Sequence, residues 1–176
     1  DYQKYATQNG WYNDYTRLYT VLWGSSYTYG WDVWNGWHMW VDIATAKWTP
    51  VYAMAEWTVI IATELTMEWN VVSISHDINW KKIVSNYMHL SKIDIKKWDK
   101  VSAWTKIWEV WSTWNSTGNH LHFQIDIDTS SSPAYYNYAT CPYNYYKISE
   151  EWVCFNELEK ITVDPLAFLE TKWAAL

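Results

Sequence analysis

The run Gly118-Asn119-His120-Leu121-His122-Phe123-Gln124-Ile125 sets two imidazoles two residues apart and passes into alternating apolar positions. Strand side chains alternate between faces, so His120 and His122 project the same way. Their Cα atoms are expected about 6.5 Å apart, at about 3.3 Å per residue. That spacing suits two roles at one site, one imidazole on a metal and the other beside the activated water. The segments upstream can be read as supplying the missing ligands.

Those segments read as short strands. In His38-Met39-Trp40-Val41-Asp42 an imidazole and a carboxylate stand four residues apart. A straight strand would separate their Cα atoms by about 13 Å, so both reach one zinc ion more easily if the chain bends at position 40. Residues 49–53 and 57–62 read as two strands joined by a tight turn at Ala55-Glu56. Residues 70–75 and 82–90 read as a hairpin turning at Asn79-Trp80, with His89 ending the returning strand. His76 is read as a turn or surface histidine. Residues 91–117 carry turn signals about every ten residues, with short apolar runs at Val101, Ile107 and Val110. The pattern predicts an all-β fold, an antiparallel sandwich or barrel with short peripheral helices. There is an internal echo: Lys47-Trp48-Thr49-Pro50-Val51 followed by Trp57-Thr58-Val59, and Lys97-Trp98-Asp99-Lys100-Val101 followed by Trp104-Thr105-Lys106-Ile107. Each half reads as a strand-turn-strand pair.

The flanks differ from this core. Residues 1–37 read as an irregular segment packed on the domain, with a short helix at residues 14–22. Residues 38–128 form the expected core. Residues 129–176 read as a loop-rich extension ending in a helix at residues 164–170, capped by Asp164 with Pro165 in its first turn. The chain of 176 residues suits one such core. Its net charge of −6 and single arginine, Arg17, argue against nucleic acid. No apolar run approaches the roughly 20 residues of a membrane span. The start at Asp1 without a methionine is consistent with removal of a signal or of an upstream region, and a monomer is expected. Cys141 and Cys154 either close a small loop as a disulfide, which suits an oxidising compartment, or are two buried thiols.

One imbalance stands out: 17 tryptophans against 5 glycines. Several tryptophans occupy places where turn chemistry asks for glycine, as in Asn79-Trp80 and Lys97-Trp98-Asp99. Three explanations compete: an aromatic platform for sugars, ordinary core residues, or tryptophan standing where the natural protein has glycine. UGA is read as tryptophan in some genetic codes and as glycine in others, and the turn placement favours the third.

Four of the five histidines fall in three short motifs with Asp42. Catalytic zinc commonly takes three protein ligands and keeps a fourth position for water. His38, Asp42 and His122 would supply two imidazoles and a carboxylate, leaving His89 and His120 to move protons or stabilise an oxyanion. In this order, His38-x-x-x-Asp42, Tyr87-Met88-His89-Leu90 and His120-Leu121-His122 resemble the three signatures of the lysostaphin-type (LytM-like) zinc metallopeptidases. The stretches at residues 47–53 and 112–118 resemble the same pattern, so the likeness covers residues 36–127. It implies a β-sandwich built on a duplicated hybrid motif. It also implies Zn²⁺ held by His38, Asp42 and His122, with His89 and His120 as the catalytic pair. The implied activity is endopeptidase action on peptidoglycan, outside the cell or in the periplasm. The alternative is a non-catalytic envelope module of the same fold that binds wall or activates another hydrolase. The family has glycine where this chain has Trp40, Trp48, Trp57, Trp69, Trp98, Trp104, Trp108, Trp111 and Trp114.

Overall fold

The computed structural model describes residues 40–65, 69–78, 80–111, 119–127, 141 and 153–173. The expected N-terminal segment, its helix at residues 14–22, and His38 lie outside them, as does the Ser- and Tyr-rich stretch after Ile127 apart from Cys141.

Among the described residues the chain is β-rich. Its strands are β1 (Val41–Ala44), β2 (Pro50–Tyr52), β3 (Trp57–Leu65), β4 (Trp69–Ile78), β5 (Lys81–Leu90), β6 (Lys100–Val101), β7 (Lys106–Glu109), β8 (His120–Ile127) and β9 (Thr162–Val163). Among the described residues two helices follow β8: α1 (Phe155–Leu158) and α2 (Pro165–Trp173). A seven-stranded sheet runs β1-β8-β5-β4-β3-β6, with β9 on β8, and a second sheet pairs β2 with β7. Every pairing is antiparallel.

The core lies between the two sheets. Val72, Ile74, Tyr87, Phe123 and Ile125 of the large sheet and Val51 and Ile107 of the small one belong to one buried cluster. Burying each aliphatic side chain of this kind contributes roughly 1.5–3 kcal/mol. Tyr87 brings a hydroxyl into this apolar layer and satisfies it locally, since Met54 N–H donates to its Oη at 2.9 Å. Burial pushes the Tyr87 phenol up to about 12.

The β4–β5 hairpin forms as expected, with Ile78 paired to Lys81 across the two-residue connection. The expected hairpin of residues 49–53 and 57–62 does not form. β2 pairs with β7, and β3 pairs with β6. The two echoing halves therefore exchange strands instead of each folding on itself. Trp48 N–H donates to Val110 O at 2.9 Å and Val110 N–H to Thr49 O at 2.9 Å; fifty positions on, Trp98 N–H donates to Val59 O at 2.8 Å and Val59 N–H to Asp99 O at 2.9 Å. The same clasp is used twice. Ala55-Glu56, read as a tight turn, instead lie on the crossing from one sheet to the other, which the local pattern cannot distinguish from a hairpin.

At the C-terminal end Asp164 caps α2. Its Oδ1 accepts from Leu166 N–H at 2.9 Å and Ala167 N–H at 3.3 Å, so two otherwise unpaired amide groups are satisfied. The helix continues past residue 170 to Trp173. Cys141 and Cys154 form a disulfide, which settles the choice left open by the sequence.

Candidate active site

β1 and β8 carry the centre of the site. Their register sets Asp42 opposite His122 and Ala44 opposite His120. Directly opposed residues of an antiparallel pair share a face, so the carboxylate and both imidazoles project together. Along β8 the alternation divides the strand cleanly. His120, His122, Gln124 and Asp126 take this face, while Phe123 and Ile125 enter the core.

His89 arrives by a different device. On β5, Tyr87 faces the core, and a regular strand would send His89 the same way. The pairing passes from Val72–Tyr87 to Asn70–Leu90, two steps on β4 against three on β5. Met88 and His89 thus oppose Val71 as a β-bulge, with His89 at φ 60°. A bulge re-aims a side chain next to functional sites. Here it brings the His89 ring to 4.7 Å from that of His120 and 5.9 Å from that of His122, between centroids.

The four side chains form a tight group. Asp42 Oδ1 lies 3.6 Å from His122 Nδ1 and 3.8 Å from His120 Nε2. Both distances exceed a good hydrogen bond. Two ligands held at 2.0–2.2 Å by a tetrahedral zinc ion lie about 3.3–3.6 Å apart, so the Asp42–His122 pair has the spacing of two such ligands. Among the described residues no group of three or more His, Cys, Asp or Glu side chains is arranged to hold a metal ion. His38, the third expected ligand, lies outside the described residues.

Burial tunes His89. Its pKa is pushed down to about 3, first by desolvation, then by the neighbouring His120, with Asp42 pulling partly the other way. At neutral pH the ring is uncharged and offers one donor and one acceptor nitrogen.

Three features escape the motif reading. Trp40 is buried beside the site and stacks on His122 at 4.4 Å between centroids. Next to His122 on the same face runs a buried polar layer. Ser73 Oγ donates to Asn86 Oδ1 at 2.7 Å, Asn86 Nδ2 to Asp126 Oδ2 at 2.9 Å, and Gln124 Nε2 to Asp126 Oδ1 at 2.5 Å. The period-two polar positions of β8 were the available signal for it. His76 is the correction: it is neither a turn nor a surface residue. It is 1% exposed within β4, on the core side with Val72 and Ile74. Its Nδ1 contacts Glu56 O at 2.8 Å and its Nε2 contacts Ser85 Oγ at 2.7 Å.

Known proteins place the chain. Peptidoglycan DD-endopeptidase ShyA of Vibrio cholerae serotype O1 is 34% identical over 90 residues, which are 51% of this chain and 20% of that protein. The chain spans between 20% and 23% of the length of the curated relatives it matches. The catalytic domain of lysostaphin from Staphylococcus simulans superposes with a TM-score of 0.59 at 24% identity, covering 87% of this chain and 92% of that one, and so shares the fold. A zinc containing peptidase from Vibrio cholerae superposes with a TM-score of 0.53 at 27% identity, covering 61% of this chain and 32% of that one. Residues 36–133 match the model of peptidase family M23. That stretch is more than half of the chain and holds Asp42, His89, His120 and His122, and on it the chain belongs to peptidase family M23.

Proposed function

We propose that this chain is a zinc-dependent endopeptidase that hydrolyses peptide bonds of bacterial peptidoglycan, working outside the cytoplasm. The observation that carries the reading is the convergence of Asp42, His89, His120 and His122 on one sheet face. The peptidoglycan-cleaving relative named above supports the substrate class, and the Cys141–Cys154 disulfide suits an oxidising compartment.

Asp42 and His122, with His38, are the residues that would hold zinc. When bound, zinc would polarise the scissile carbonyl and lower the pKa of the attacking water. Around it, the chain's own groups divide the proton work. His89 is neutral at working pH and so can accept a proton or donate a hydrogen bond. His120 stands within ring contact of it. One of the pair takes the proton of water, and the other stabilises the oxyanion that develops on the carbonyl. The near-complete burial of His122 keeps it from wandering into solvent.

The test is zinc content together with turnover of defined cell-wall peptides. His122→Ala is expected to lose the metal. His89→Ala is expected to keep it and to lose roughly 10²–10⁴-fold in kcat/KM. A His89→Ala protein with full activity contradicts the assignment. Stoichiometric zinc without any turnover in the unaltered chain contradicts the enzyme reading and favours a binding module.

A further inference from the structure

Backbone conformation singles out five tryptophans. Seven non-glycine residues have positive φ among those described, and five are Trp48 (71°), Trp57 (145°), Trp80 (65°), Trp98 (79°) and Trp104 (67°). The other two have local reasons. His89 sits in the β5 bulge. Cys154 is held by its disulfide and by amides of Glu157 and Leu158 that donate to its carbonyl at 3.1 and 3.0 Å.

The tryptophans share a pattern that glycine explains. Thr49 N–H donates to Ala46 O at 3.1 Å, Asp99 N–H to Lys96 O at 3.0 Å, and Thr105 N–H to Ser102 O at 3.1 Å. Each closes a four-residue turn whose third residue is tryptophan, and only that residue has positive φ. This is the type II turn, which asks for glycine or asparagine at the third position. Trp80 ends the two-residue β4–β5 connection, the place of the second residue of an Asn-Gly turn. Trp57 opens β3 at a φ that is essentially restricted to glycine.

Exposure points the same way. These five side chains are 53%, 43%, 99%, 69% and 63% exposed, whereas tryptophan ordinarily buries most of its large apolar area. Lys47, Lys97 and Lys100 lie over Trp48, Trp98 and Trp57 at 5.2, 5.0 and 5.2 Å. Those contacts do nothing for the backbone. A sugar-stacking platform would account for exposed rings, but it has no need of left-handed backbone, and five platform residues would not all fall on it.

We propose that Trp48, Trp57, Trp80, Trp98 and Trp104 are glycine in the protein its own cell makes, encoded by UGA codons that the cell reads as glycine. The five turn tips are then bare, and none of them is a carbohydrate platform. The test is peptide mapping by mass spectrometry of the protein isolated from its native cells. Peptides spanning the five positions are expected to weigh less than the written sequence by one tryptophan-to-glycine difference at each position. Tryptophan at any one of the five overturns the proposal. A recombinant pair gives a second measurement that does not depend on activity. The chain carrying W48G, W57G, W80G, W98G and W104G together is expected to unfold at a higher temperature than the tryptophan chain, and an equal or lower midpoint would overturn it.

Discussion

At the scale of single residues, backbone parity decides which histidines share a face. The common face of His120 and His122 was legible because they stand two apart on a strand whose alternation is visible in the sequence. The place of His89 beside them was suggested only by its motif, since strand parity alone sends it into the core with Tyr87. The bulge that redirects it leaves no mark in the pattern of polar and apolar residues. His76 was misread for the opposite reason. It stands near a turn in sequence, but parity places it with Val72 and Ile74 on the buried side, where Ser85 and the Glu56 carbonyl satisfy it. Burial lowers its pKa from 6.5, with the Glu56 carbonyl pulling partly back. Below about pH 6.5 the unfolded chain therefore binds a proton that the folded chain refuses, and stability falls as pH falls. His89 acts with the same sign, down to about pH 3. Urea unfolding between about pH 7.5 and 5 should show the midpoint dropping toward acid. His76→Gln should flatten that slope; an unchanged slope would separate His76 from the acid response.

At the scale of elements, the local signals were good wherever the contacts are local. The β4–β5 hairpin and the Asp164 cap are both set by residues adjacent in sequence, and both were expected. Asp164→Ala removes an acceptor used by two amides, and is expected to cost about 1 kcal/mol of stability. Thermal or chemical unfolding of that variant measures it, and no loss would mean the cap is replaced by water. The pairing of β2 with β7 and β3 with β6 was not legible. An echo of strand-turn-strand units looks the same whether each unit folds on itself or exchanges a strand with the other. The exchange is chosen by the packing of two sheets on one core, which no window of ten residues contains.

At the scale of the molecule, the large sheet is a platform with two different faces. One is apolar and covered by the β2–β7 sheet. The other carries the polar row of β8, extended by Asp42 from β1 and by His89 from the bulge. Beyond β8 the C-terminal part is tied on by β9 and α2, and within it the disulfide between Cys141 and Cys154 closes a loop of thirteen positions. Replacing both cysteines with serine frees a loop whose closure is worth about 3 kcal/mol in the chain-entropy model. The urea midpoint of the double variant should fall accordingly, and an unchanged midpoint would show that closing this loop adds nothing to the stability of the fold.

The most direct measurement is digestion of defined peptidoglycan peptides, read by mass, with the chain untreated, stripped by a chelator, and stripped then resupplied with zinc. The account predicts cleavage at a single type of peptide bond, lost on stripping and restored by zinc. Cleavage that survives complete removal of metal, or none at all with zinc bound in full, would contradict it.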